Sequence, residues 1–86
     1  MFYAYVIENS KGKHYTGSTE CLKGRIKIHN DESPEKAKFH RSTYKKGPWH
    51  VLFNKQFTVR KEAIEFEKFL KTGKGRKWLE RARLGG

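Results

Sequence analysis

The chain has 86 residues, 35% hydrophobic and 14% aromatic, with 20 Lys and Arg against 9 Asp and Glu for a formal net charge of +11. A chain this short makes one domain and buries only about two thirds of its unfolded surface, so its core must be small and built from Phe, Tyr and Trp. Cys21 is the single cysteine, which excludes an intrachain disulfide and a thiolate zinc cluster and fits a reducing, cytoplasmic setting.

No apolar run approaches the roughly 18 residues of a membrane span, the N-terminus carries no signal-peptide pattern, and no basic amphipathic stretch argues for a membrane surface. The positive charge far exceeds what solubility needs and points to a polyanionic partner, nucleic acid foremost.

From Phe2 to Glu8 the chain is apolar on both faces and reads as a central strand, followed by Asn9, Ser10, Lys11 and Gly12 as turn residues. His14, Tyr15 and Thr16 resume the β preference and stop at Gly17, which predicts a hairpin bringing Tyr5 near Tyr15. Ser18 or Thr19 then caps a helix from near Glu20 to about His29. Within it Leu22, Arg25, Ile26 and His29 fall at i, i+3, i+4 and i+7, so a guanidinium and an imidazole share the inward stripe, one turn apart.

Asn30 to His50 is polar, contains Pro34 and Gly47-Pro48, and carries Lys36, Lys38, Arg41, Lys45 and Lys46, a basic loop with room for one short helix. Trp49 to Phe57 regains β-branched and aromatic character and reads as a third strand. Thr58 is the expected cap of a second helix with Val59, Ala63, Phe66 and Leu70 as its apolar stripe, ending at Thr72 with Gly73 as the stop. A last helix from about Arg76 to Arg83, with Trp78 and Leu79 inward, completes a single domain over 1–83, and 84–86 reads as a loose tail.

Tyr5, Tyr15, Arg25, His29 and Glu67 are polar groups whose neighbours turn them toward an apolar interior, and burying such groups without partners costs about 1–3 kcal/mol each. Each has two readings. Glu67 is either an i,i+4 partner of Lys71 or a carboxylate anchor for Mg²⁺. Arg25 either snorkels to water or holds a phosphate bidentately, and His29 is either a boundary histidine or a partner of that phosphate. The tyrosines are core aromatics or reacting phenols. A phenol with a pKa near 10 costs roughly 4 kcal/mol to ionise at neutral pH, so a tyrosine base needs nearby cations such as Arg25 and a metal at Glu67. Alternatively the metal supplies hydroxide and the tyrosines orient it. There is no Walker loop, zinc pattern or RNP consensus. Lys45, Lys46, Lys71, Lys74 and Arg76 read as contacts to a phosphate backbone.

Tyr3-Ala-Tyr5, Tyr15-Thr-Gly17, Arg25, His29-Asn30 and Glu67-Lys-Phe-Leu-Lys-Thr-Gly-Lys-Gly-Arg-Lys-Trp together resemble the GIY-YIG nuclease superfamily, in particular its small single-domain, excinuclease-like members. The resemblance spans about residues 2 to 80. It implies an α/β (α+β) fold, a three-stranded antiparallel sheet flanked by helices, and hydrolysis of phosphodiesters, DNA ahead of RNA, with one divalent ion, Mg²⁺ or Mn²⁺. By position Tyr5 matches the first-motif tyrosine, and Tyr15 the second-motif tyrosine proposed as general base. Arg25 matches the arginine that stabilises phosphate charge, Glu67 the single metal ligand, and His29 a His or Tyr near the phosphate. The chain departs from the pattern in reading Tyr-Ala-Tyr for Gly-Ile-Tyr, in Thr16, and in Ser18 where some relatives have lysine. With no added DNA-binding domain, weak or structure-directed cleavage is expected. A non-catalytic binding module on the same scaffold and an accessory protein docked through the basic loop are the alternatives.

Overall fold

The computed structural model of the chain describes residues 1–31 and 45–84. The expectations placed on Pro34, Lys36, Lys38 and Arg41 therefore lie outside the described residues, as do residues 85–86 of the expected tail. The elements follow in the order β1 (Phe2–Asn9), β2 (His14–Thr19), α1 (Leu22–Asn30), β3 (Trp49–Phe57), α2 (Arg60–Leu70) and α3 (Gly73–Leu84). The strands form one antiparallel sheet in the order β2-β1-β3. Among the described residues no helix is long and apolar enough to cross a membrane.

Strand β1 is central because it is apolar on both faces: Ala4, Tyr5, Val6 and Ile7 are all buried. Successive side chains on a strand point to opposite sides of a sheet. Tyr5 and Ile7 accordingly meet Trp49 with Tyr15, Leu22 and Ile26, the face covered by α1, while Val6 meets Leu70 and Leu79 with Leu52, Phe53 and Phe66, the face covered by α2 and α3. The register slips between Val6, opposite Phe53, and Ile7, opposite Val51, leaving Leu52 as the extra residue of a bulge.

Asn9 closes the β1–β2 hairpin. Its side-chain oxygen accepts from the Lys11 and Lys13 amides at 3.0 and 2.9 Å, while its amide nitrogen donates to the Lys46 carbonyl at 2.9 Å. A buried amide is thereby satisfied, and Gly12, at φ +78°, supplies the left-handed turn residue. Asn30 plays a similar part at the C-terminal end of α1: its side chain accepts from the Trp49 amide (2.6 Å) and donates to the Trp49 carbonyl (3.1 Å), clamping the helix end to the start of β3.

The helix ends differ from the sequence reading. Ser18 and Thr19 do not cap α1, because β2 runs on to Thr19, paired with Tyr3, and sheet pairing takes both residues. The cap falls to Cys21, whose Sγ accepts the Gly24 N–H at 3.4 Å. Helix α2 opens at Arg60 with Val59, an exposed residue, at the cap position and no side-chain cap bond, so Thr58 lies one residue too early. Glu62 in its first turn offsets the missing acceptor by complementing the helix dipole.

Gly73 opens α3 and does not merely stop α2. Thr72 Oγ1 donates to the Phe69 carbonyl at 2.6 Å and accepts the Gly75 N–H at 3.0 Å, so one hydroxyl serves the end of one helix and the start of the next. Gly75 is buried against the α2 backbone. A Cβ there would overlap the Phe69 carbonyl oxygen and stand 2.6 Å from its carbon and 2.7 Å from Leu70 Cα, whereas one at Gly73 would meet nothing within 4 Å. Leu79 is inward as expected, but Trp78 is 37% exposed, since its position on α3 lies at the rim of the helix contact.

These two glycines make a paired prediction. Gly75→Ala lowers the unfolding free energy by roughly 3 kcal/mol, because backbone and not a flexible side chain blocks the methyl group. Gly73→Ala is neutral or stabilising by up to about 1 kcal/mol. Urea denaturation of the two variants checks this, and equal effects would contradict the close approach.

Candidate active site

Tyr5 lies in the middle of the central strand, opposite Gly17 of β2. A Cβ on Gly17 would come within 2.7 Å of Tyr5 Oη and 2.9 Å of Cζ. The absence of a side chain therefore lets the Tyr5 ring lie across the edge strand, the reason a glycine sits inside a strand here. The hydroxyl ends 2.8 Å from Nε2 of His29, which α1 delivers from its last turn. Both groups are almost wholly enclosed, Tyr5 at 1% and His29 at 3% exposure, so each satisfies a polar atom that water cannot reach.

Tyr15, two residues before Gly17 on β2 and so on the same face of the sheet, completes a cluster of three rings. Its centroid is 4.9 Å from that of His29 and 6.4 Å from that of Tyr5, and Tyr5 lies 5.9 Å from His29. Tyr15 is only partly buried.

Arg25 stands one turn before His29 and is also partly buried. It lines a cleft of 220 Å³ with Ser18, Thr19 and Glu20 from the end of β2 and its exit, and with Arg60 and Ala63 of α2. Although α1 and α2 cover opposite faces of the sheet, both border this cleft where the edge strand ends. Glu67 follows Ala63 by one turn of α2, on the same side of that helix. Its side chain is 19% exposed, and its Oε2 pairs with Lys71 Nζ at 2.7 Å. That pair is the i,i+4 contact expected on a solvated helix, worth a few tenths of a kcal/mol.

Electrostatics joins these groups at one atom. Burial pushes the Tyr5 phenol well above the ordinary tyrosine range, Tyr15 adds to the rise, the Arg25 guanidinium opposes it, and the Glu67 carboxylate adds again. Tyr5 is thus a neutral phenol at physiological pH. Of the five residues singled out from the sequence, Tyr5, Tyr15 and His29 are in direct contact, Arg25 stands one turn from His29 and lines the cleft with Arg60, and Glu67 is paired with Lys71 on α2.

The expected phosphate-binding cations divide among three places. Lys71 and Arg76 line a 500 Å³ cleft with His14, Tyr15 and Thr16, adjoining the ring cluster. Lys45 and Lys46 line a 370 Å³ hollow with Asn9, Lys11 and Lys13 at the hairpin turn. That hollow lies at the far end of β1 from the Arg25 cleft, about 23 Å away at strand rise. Lys74 lies on another face of α3, beside Phe69 and Trp78. Among the described residues no group of three or more His, Cys, Asp or Glu is gathered to hold a metal. Sequence reasoning missed Arg60 in the Arg25 cleft, for which an exposed helix start gives no signal. It also missed the clamp made by Asn30, since a lone amide after a helix histidine does not reveal its distant partner.

The raised Tyr5 pKa fixes a sign for alkaline stability. A phenol whose folded pKa exceeds its unfolded value near 10 contributes fully below pH 10 and loses that contribution as pH rises beyond it. Tyr5→Phe should cost about 1–2 kcal/mol at pH 7 through the lost bond to His29. The gap between wild type and variant should narrow above pH 10 in urea titrations, and a gap independent of pH would contradict a buried neutral phenol.

The family model for the GIY-YIG catalytic domain matches residues 1–80. Comparisons with curated proteins and with solved structures returned no match. The three-stranded antiparallel sheet with its three helices is the α+β arrangement consistent with that domain. With the match covering nearly the whole chain, the protein belongs to the GIY-YIG nuclease superfamily.

Proposed function

We propose that the protein is a divalent-metal-dependent endonuclease that hydrolyses nucleic-acid phosphodiesters, DNA foremost. The observation that carries this reading is the buried Tyr5 phenol, bonded to His29 at 2.8 Å and packed with Tyr15, with Arg25 one turn from His29 on the same helix. A cation to receive a phosphate, a carboxylate for a metal and phenols to order water are the parts that phosphodiester hydrolysis needs.

Tyr5 serves as a hydrogen-bonding phenol and not as the base, because its burial raises the cost of the phenolate above the roughly 4 kcal/mol of a free tyrosine. His29 is a positioning residue that holds the Tyr5 hydroxyl. Tyr15, partly open to the Lys71–Arg76 cleft, orients the attacking water and accepts its proton while passing its own hydroxyl proton to solvent, as the new phosphorus–oxygen bond forms and the ester bond opposite breaks, the departing oxygen taking a proton from water. Arg25 binds the phosphate and offsets the charge that builds on its oxygens, with Arg60 across the same cleft.

Glu67 would hold the metal. A single, partly exposed carboxylate suits Mg²⁺ or Mn²⁺, which keep several waters and lean on substrate phosphate, and the Lys71 pair is weak enough to be displaced. When bound, the ion polarises the phosphate and lowers the pKa of a bound water.

Pure protein is expected to nick supercoiled plasmid with Mg²⁺ or Mn²⁺ and to stop on EDTA addition, with branched DNA and RNA run beside it to compare substrates. Glu67→Gln and Arg25→Ala should each slow nicking at least about 100-fold with circular dichroism unchanged. Full activity in both variants would remove the site. The Glu67–Lys71 pair favours one alternative, a non-catalytic binding module. Its signature is binding that weakens steeply with salt, ignores Glu67→Gln and is never accompanied by cleavage.

A further inference from the structure

One face of α3 has no part in that chemistry. Trp78 and Phe69 are 37% and 36% exposed, in a domain short of apolar surface to bury. The indole is nonetheless held, edge-on to Phe66 at 5.4 Å, Phe53 at 5.5 Å and Phe69 at 6.2 Å. Phe69 and Trp78 wall a hollow of 320 Å³ whose remaining lining is Lys74, Lys77 and Arg81. These four α3 positions recur at i, i+3, i+4 and i+7, a single face of the helix. Arg76 leaves by another side, into the cleft with Tyr15, and Leu79 enters the core. The aromatic cluster already takes a cation on its π-faces, with Lys55 Nζ 5.6 Å from the Phe57 centroid and 5.2 Å from that of Phe66.

A rigid, half-open indole ringed by three cations fits an occupant that is flat, apolar on its faces and anionic at its margins. Nucleobases flanked by phosphates have that character, and only unpaired bases can present a free face. An acidic peptide would answer the charges without the plane, and a lipid surface would want a deeper apolar wedge. We propose that this face of α3 is a second nucleic-acid contact that stacks an unpaired base on Trp78 while Lys74, Lys77 and Arg81 hold adjoining phosphates. The preferred substrate is then a nucleic acid with a single-stranded segment, and not a uniform duplex. The inference deepens the nuclease reading in naming the substrate class, yet it rests on nucleic-acid binding and not on cleavage.

The test is binding of the full chain, in EDTA so that cutting plays no part, to a labelled single strand of about 15 nucleotides and to a blunt duplex of equal length. The single strand should bind more tightly and quench the emission of Trp78, the exposed one of two tryptophans, Trp49 being buried beyond a ligand's reach. Trp78→Leu should weaken single-strand binding about tenfold or more. The double variant Lys77→Glu, Arg81→Glu should do the same, and it alters only exposed side chains and so keeps the fold. Preference for the duplex, unquenched emission, or wild-type binding by the folded double variant would each overturn the proposal. So would tighter binding of anionic vesicles or an acidic peptide than of the oligonucleotide. Plasmid nicking is scored separately, so loss of the stacking site and loss of the nuclease reading give different results.

Discussion

The placement of the Tyr5 ring over Gly17 is the contact on which the rest of the site depends. A tyrosine on the central strand would ordinarily point its hydroxyl into the apolar layer beneath α1, where an unpaired hydroxyl costs about 1–3 kcal/mol. Here the bare backbone of Gly17 lets the ring cross the edge strand, and His29 meets the hydroxyl at 2.8 Å. One missing side chain thereby turns a core aromatic into a fixed polar group at the edge of the sheet. Burial then keeps that group neutral.

The scaffold holds this contact through polar clamps more than through bulk. The fully buried apolar residues are few, so the helices are tied at their ends. Asn30 fastens the last turn of α1, which carries His29, to the start of β3. Thr72 and Gly75 lock α3 against the end of α2, the turn of chain that carries Glu67 and Lys71. The first clamp holds the turn that brings His29 to Tyr5, and the second holds the turn that carries Glu67 and Lys71. A domain with a thin stability margin can in this way keep a rigid site without a large core.

Much of this architecture is legible in the residues because hydrophobic periodicity reports burial directly. The two-sided apolar run of β1, the third strand and the inward stripe of α1 all follow from it. Helix boundaries are less legible, since they are settled by competition. Ser18 and Thr19 are good caps but better strand partners for Ala4 and Tyr3, and Gly73 suits a helix stop as well as a helix start. For Glu67 the residue pattern allows both an ion pair and a metal anchor, and the structure contains the pair. Trp78 reads as core because large aromatics usually are, and its partial exposure beside Phe53, Phe66 and Phe69 is set by packing between distant elements, which no local pattern encodes.

The proposed site draws its groups from four elements, and the cations spread beyond it, along α3 and at the hairpin turn. On the proposed reading, chemistry and grip on the nucleic acid are separable, since α3 turns Arg76 toward Tyr15 and Lys77 and Arg81 toward Trp78. The most direct measurement of the central claim is plasmid nicking by Gly17→Ala beside wild type, with Mg²⁺ present and folding verified by circular dichroism. A methyl group at that position should displace the Tyr5 hydroxyl from His29 and abolish nicking in a folded protein, whereas wild-type nicking by the variant would show that the Tyr5 contact is not what builds the site.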